Sequence, residues 1–230
     1  MPGRSELPLV EARRYSDRVT RSSLSHCPGD PRTLVLASSS PRRRDLLRNL
    51  GLDFTVDAAD TDETVEPGRD IRDVVVELAA AKAHAVAPRH AGSLVIAADT
   101  LVVLDGRVFG KPADAAEARQ TLETLSGRSH RVFTGLVLVD GKTLALDTRV
   151  VETEVCFRAL DPAEIDAYIA TGEPFDKAGA YGMQGLAAAF VERIDGDYFN
   201  VVGLPLVALN ELLRLAGACL ICRHLQPATD

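Results

Sequence analysis

The sequence predicts one α/β unit, with room for a cleft between two lobes. Three observations point there. Short apolar runs of strand length alternate with longer segments that carry helix-capping residues. Asp105-Gly106 and Asp140-Gly141 split apolar stretches as hairpin turns do. The 230 residues are many for one domain and few for two. Residues 1–31 read as an N-terminal extension, 32–217 as the folded domain and 218–230 as a C-terminal tail.

Thr33 to Ala37 is an apolar run that reads as a buried strand, and a serine cluster and Pro41 follow it. A helix then starts, with Ser40 as its N-cap, Pro41 in the first turn where its missing N–H costs nothing, and Gly51 as the stop. A second helix is predicted from Ile71 to Ala87, between Asp70 as cap and Pro88 as terminator. Leu94 to Ala97 is a second buried strand, ending at Ala98-Asp99-Thr100; Leu101–Leu104 and Arg107–Phe109 then form a hairpin. A third helix opens at Asp114, with Glu117 as capping-box partner, and closes before Gly127. His130 to Phe157 reads as two long strands, and Asp161-Pro162-Ala163-Glu164 opens a helix that stops at Gly172. The stretch from Glu173 to Gly185 mixes glycines with charged and amide groups, which suits the lining of a site better than a core. Ala187 to Ile194 is predicted as a strand, and Pro205 opens a last helix.

With 46% hydrophobic and 26% charged residues the composition is that of a globular protein, and no apolar run is long enough to span a bilayer. A cytoplasmic protein with no membrane partner is expected. A formal charge of −7 argues against a broad nucleic-acid surface, so any phosphate ligand must meet a local basic pocket. Cys27, Cys156, Cys219 and Cys222 are too sparse for a disulfide framework and fit a reducing compartment. Cys219 and Cys222 with His224 offer three metal-like ligands but no second cysteine pair, which falls short of a zinc site. Residues 1–31 lack the apolar core of a secretory signal, and Glu6, Glu11 and Asp17 set them apart from acid-poor transit peptides.

A helix N-terminus presents unpaired N–H groups and partial positive charge, so the entry at Ser39, Ser40 and Pro41 suits an anion, and Arg42 and Arg43 add charge. An ordinary capped helix with a solvated arginine face fits the same spacing. The segment lacks the Gly-x-x-x-x-Gly-Lys signature of a P-loop, which excludes switch and motor nucleotidases of that type. Asp99 falls at the expected carboxyl end of a strand, where open α/β sheets place their ligand crevice. There a carboxylate can orient water or bind a divalent ion. Asp62-Glu63 is a second acidic point, equally readable as a polar loop, and Lys82, Lys111 and Lys177 could each contact phosphate or simply face water.

Several segments, in order, resemble the Maf family of nucleoside triphosphate pyrophosphatases from roughly Thr33 to Leu215. Leu36-Ala37-Ser38-Ser39-Ser40-Pro41-Arg42-Arg43 is similar to the family's opening signature, and Ala98-Asp99-Thr100 and Gly110-Lys111-Pro112 follow as they do there. Gly172-Glu173-Pro174, the stretch Asp176 to Gly182, and Asn200-Val201-Val202-Gly203-Leu204-Pro205 complete the match. The resemblance implies a Maf/ITPase-like fold: a long, mixed, twisted central sheet flanked by helices, two lobes around a cleft, and a homodimer. It also implies hydrolysis between the α and β phosphates with a divalent cation, Mg2+ or Mn2+. By the same resemblance Asp99 accepts the proton of the attacking water and, with Glu63, holds the metal. Ser38, Arg43, Lys82, Lys111 and Lys177 would grip the triphosphate.

Family members acting on dTTP and UTP typically carry the residues matched by Arg42, Thr100 and Gln184, whereas the 7-methyl-GTP branch tends to carry an aromatic residue where Arg42 stands. The amide of Gln184 can both donate and accept, as the imide edge of uracil or thymine requires. The expected activity is therefore hydrolysis of dTTP, UTP and modified pyrimidine triphosphates, a house-cleaning of nucleotide pools. The rival readings are the 7-methyl-GTP branch and a nucleotide-binding regulator of septum formation with weak hydrolysis. The chain departs from a minimal member in its first 31 residues, in its tail, and at Ala187-Ala188-Ala189, where glycines are common in the family.

Overall fold

The computed structural model describes residues 32–66 and 68–221. The expected extension over 1–31, with Cys27, and the tail beyond Ile221, with Cys222 and His224, lie outside the described residues; Cys219 is buried. In chain order the elements are β1 (Leu34–Leu36), α1 (Pro41–Asn49), β2 (Phe54–Val56), α2 (Ile71–Val86), β3 (Leu94–Leu104), β4 (Arg107–Phe109), α3 (Ala115–Leu125), β5 (Ser129–Asp140), β6 (Leu146–Phe157), α4 (Pro162–Ala170), β7 (Val191–Asp195), α5 (Tyr198–Val202) and α6 (Leu206–Leu215). No helix among the described residues is long and apolar enough to cross a membrane.

The strands form one mixed sheet in the order β2-β1-β3-β5-β6-β7, with β4 added to the far end of β3. β1 pairs in parallel with β2 and β3, and the long strands β3, β5 and β6 pair antiparallel. β1 is short and pairs with β3 only as far as Ile96, while β4 takes up the same edge at Val102. The gap between them opens the sheet where Asp99 and Thr100 stand. One apolar cluster packs α1 and α6 on the parallel end, and another packs α3 and α4 around Phe157 and Phe190 at the other end. These clusters are the two lobes, joined by β3 and β5.

Three expectations need correction. The strand from Leu94 does not end at Asp99 but continues to Leu104, leaving Asp99 in its middle. Asp99 and Thr100 find partners on opposite faces, so a polar pair need not break the strand. The expected strand from Ala187 begins as a 3-10 turn, Leu186–Phe190, and only Val191–Asp195 pairs. Alanines carry no branched surface to pack on a sheet. Five residues join β5 to β6, and the left-handed residue among them is Leu144, not Gly141. Gly141 is needed instead because a Cβ there would lie 2.2 Å from the His90 carbonyl oxygen.

Candidate active site

The entry to α1 is organised by two serines and an inward-turned arginine. Ser40 caps the helix, its hydroxyl accepting from the Arg43 N–H at 3.5 Å. Ser38 is buried, and its hydroxyl accepts from the Ser40 N–H at 3.2 Å and from Arg43 Nη1 at 3.1 Å. Arg43 Nε donates to the Gly203 carbonyl at 2.7 Å, and Nη2 donates to Thr100 Oγ1 at 3.0 Å. Those three bonds use three of the five guanidinium N–H groups, so two stay available to a ligand. Burial pushes the Arg43 pKa down, against the attraction of Asp99. Gly203 has φ 110°, and a Cβ there would lie 3.3 Å from Thr100 Oγ1, so this close approach of the chain needs glycine.

On the opposite face of β3, Asp99 meets α2. Lys82 Nζ donates to Asp99 Oδ1 and, at 2.6 Å, to Glu63 Oε1. Lys111 reaches Glu63 Oε2 at 3.3 Å. Asp99 and Lys82 are both buried, and a charge in that setting needs a partner. Burial alone would raise the Glu63 pKa, but the hydrogen bond and charge of Lys82, with help from Lys111, hold it below its ordinary value. Lys82 thus bridges the two acidic side chains.

The loop after α4 closes the other wall. Lys177 Nζ donates to the Glu173 carbonyl at 2.6 Å and to Asp176 Oδ1 at 2.5 Å. Arg42 Nη1 donates to Asp176 Oδ2 at 3.1 Å, tying the start of α1 to this loop. Burial opposes ionisation of Asp176, yet Lys177 and Arg42 outweigh it and lower its pKa. Glu173, to which the sequence reading gave no role, anchors the loop: its side chain accepts from the Tyr168 hydroxyl and the Leu186 N–H, both at 3.1 Å. The sequence signal for it was its place in Gly172-Glu173-Pro174, and the structure adds that a Cβ at Gly185 would lie 2.0 Å from Glu173 Oε1.

These groups line one cleft of about 850 Å³, within the usual range for a small-molecule site. Ser38, Arg42, Arg43, Glu63, Lys82, Asp99, Thr100, Lys111 and Lys177 all face it. Gln184 does not. Gly185 N–H bonds the Gly182 carbonyl at 3.2 Å, which puts Gln184 at the tip of a turn, exposed, while its neighbour Met183 lines the cleft. The sequence reading also gave no role to the wholly buried Thr134 and Asn200, although a hydroxyl inside the apolar run Val132–Val139 was a visible oddity.

Among the described residues no three His, Cys, Asp or Glu side chains converge as a metal cage. Two hard carboxylates beside an open cleft nevertheless fit a divalent ion that keeps its waters and takes further oxygens from phosphate.

A family model described as "Maf-like protein" matches residues 33–216. The chain is 53% identical over 184 residues to the dTTP/UTP pyrophosphatase of Moorella thermoacetica, covering 80% of this chain and 95% of that protein. Similar relatives carry the same name in Pelotomaculum thermopropionicum, at 50% identity with 80% and 96% covered, and in Anaeromyxobacter dehalogenans, at 54% identity with 80% and 94% covered. A solved structure of the Staphylococcus aureus Ham1 protein overlaps 55% of this chain and 72% of its own, at 16% identity and a TM-score of 0.40.

Proposed function

The chain belongs to the Maf-like family, and from that premise we propose that it hydrolyses dTTP and UTP to the nucleoside monophosphate and pyrophosphate. The observation that carries this reading is one cleft lined by five basic side chains, Arg42, Arg43, Lys82, Lys111 and Lys177, together with the acidic side chains of Asp99 and Glu63. A triphosphate is a polyanion, and such a basic lining offsets the charge that gathers on the departing pyrophosphate.

In this reading Asp99 takes the proton from the attacking water. Lys82 holds one oxygen of Asp99, which fixes the plane of the carboxylate. Glu63, held by Lys82 and Lys111, positions the same ammonium from the solvent side. Lys111 and Lys177 approach from separate segments and grip phosphate, and Ser38 and the remaining N–H groups of Arg43 hold the tail at the entry of α1. Asp99 and Glu63 would hold the magnesium or manganese ion, which when bound adds positive charge beside the scissile anhydride. Arg42 and Thr100 stand on the cleft wall and serve base selection; Gln184 can join them only if its turn moves.

The test is a panel of triphosphates incubated with purified protein and Mg2+, with products separated. Monophosphate and pyrophosphate from dTTP and UTP are expected. Orthophosphate release without monophosphate would sink the pyrophosphatase reading, and activity mainly on 7-methyl-GTP would overturn the pyrimidine assignment.

A further inference from the structure

We propose that Thr134 is a positioning residue that fixes the direction of the Thr100 hydroxyl, so that Thr100 shows the cleft only a lone pair and there accepts the imide N–H of uracil or thymine. The inference rests on the reading of the cleft as a pyrimidine triphosphate site and deepens it.

Thr134 of β5 stands directly opposite Thr100 of β3 and has no exposed surface. Its Oγ1 lies 2.9 Å from Thr100 Oγ1 and 3.2 Å from the Asn200 carbonyl oxygen. On its other side Thr100 Oγ1 accepts from Arg43 Nη2 at 3.0 Å. Each hydroxyl has one hydrogen and two lone pairs. Thr134 therefore gives its hydrogen either to Asn200 or to Thr100. If it bonds Asn200, Thr100 donates to Thr134, and three bonds run in series from guanidinium to carbonyl with every hydrogen used. If it bonds Thr100, that series is one bond shorter and the Thr100 hydrogen is left pointing elsewhere.

Arg43 decides between the two. Its charge is buried, where fields are weakly screened, and it favours hydroxyl dipoles with oxygen towards it and hydrogen away. The series Arg43 to Thr100 to Thr134 to Asn200 satisfies this at every step. Thr100 is then left one lone pair. It lines the cleft and is only partly buried, so a ligand can reach that lone pair. The ligand atom there must bring a hydrogen. N3 of uracil and thymine carries one; N3 of cytosine is a bare lone pair, and phosphate oxygens are refused for the same reason. An acceptor facing an acceptor, with a seated ligand keeping water from both, is an effective way to reject a ligand of the same size.

The test compares kcat/KM for UTP and CTP, by monophosphate release, in the wild type, Thr134→Val and Thr134→Ser. In Thr134→Val the Thr100 hydroxyl is free to turn and donate, and the UTP:CTP ratio should fall by at least about tenfold, partly through a gain on CTP. Thr134→Ser keeps the hydroxyl and should stay within about threefold of the wild-type ratio. Thr134→Ala removes the hydroxyl without a new methyl in its place and should repeat the valine result if valine disturbs folding. An unchanged ratio in both hydroxyl-less variants overturns the inference. So does an equal loss on both nucleotides, the mark of a structural role or of a Thr100 contact to the sugar, and so does a serine variant that behaves like valine. A wild type that yields no monophosphate from UTP or dTTP fails the functional reading itself, and is told apart by needing no variant to show it.

Discussion

At the scale of single residues, the triad Asp99, Lys82 and Glu63 divides its labour by burial. Asp99 and Lys82 are buried and face each other, whereas Glu63 is half-exposed and takes its low pKa from Lys82 and Lys111. Asp99→Asn keeps the shape and a hydrogen-bonding partner for its surroundings but removes the proton acceptor. Turnover should fall by roughly 10² to 10⁴, while nucleotide binding, followed by calorimetry, persists because an amide beside a polyanion repels it less than a carboxylate does. Unchanged turnover would take Asp99 out of its assigned role. Gln184 is the contrasting case. With its side chain at an exposed turn tip, Gln184→Ala should change kcat/KM for UTP by no more than about twofold, as surface substitutions usually do. A tenfold loss would show that the turn swings into the cleft with substrate bound.

At the scale of elements, α2 matters because it delivers Lys82, and its seat on the sheet is set by Gly135 of β5. A Cβ at Gly135 would lie 2.2 Å from the Val75 carbonyl oxygen, a backbone atom that cannot turn aside. Gly135→Ala should therefore push α2 off the sheet and cost about 1–3 kcal/mol or more in urea unfolding, with kcat falling alongside; a variant as stable as the wild type would refute the close seat. Elements whose ends are marked by caps were legible from the sequence: Ser40 with Pro41, Asp70, and Asp161 with Glu164 all sit where local chemistry places them. The three-residue β2 and five-residue α5 carry too little periodicity to be seen, although Asp197 caps the latter. Asp99 and Thr100 looked like a strand's end because a local reading cannot supply Lys82 and Arg43 as partners. The site's charged residues were visible in the sequence as open candidates, and the family resemblance gave them their roles. Its supports were not, because Thr134 with Asn200 and Glu173 with Leu186 pair across 66 and 13 residues of chain. No spacing rule reaches that far.

At the scale of the whole molecule, the lobes meet along β3 and β5, and the second lobe is built around a buried histidine. His130 has almost no exposed surface; its Nε2 lies 2.8 Å from the Tyr181 hydroxyl, Nδ1 has no hydrogen-bond partner among the described residues, and Phe157 and Tyr181 pack edge-on at 4.9 and 5.3 Å. Burial pushes its pKa down to about 4. The unfolded chain takes up that proton near the ordinary histidine value, so between about pH 6.5 and 4 the unfolded state binds a proton that the folded state refuses. Acid in that window therefore favours unfolding, and stability is retained as pH rises through it. The full loss is on the order of 3 kcal/mol. Glu63 and Asp176, whose pKa values are lowered, also lose stability with acid, but only on falling through the carboxylate range, below most of this window. Unfolding free energies measured by urea at pH 7, 6 and 5 should decline in the wild type and decline much less in His130→Leu, which replaces the ring with an apolar side chain that binds no proton. Nucleotide bound in the cleft binds the folded chain and not the unfolded one, so by mass action it should shift the acid limb to lower pH. Equal pH slopes in the two proteins would place the acid sensitivity elsewhere.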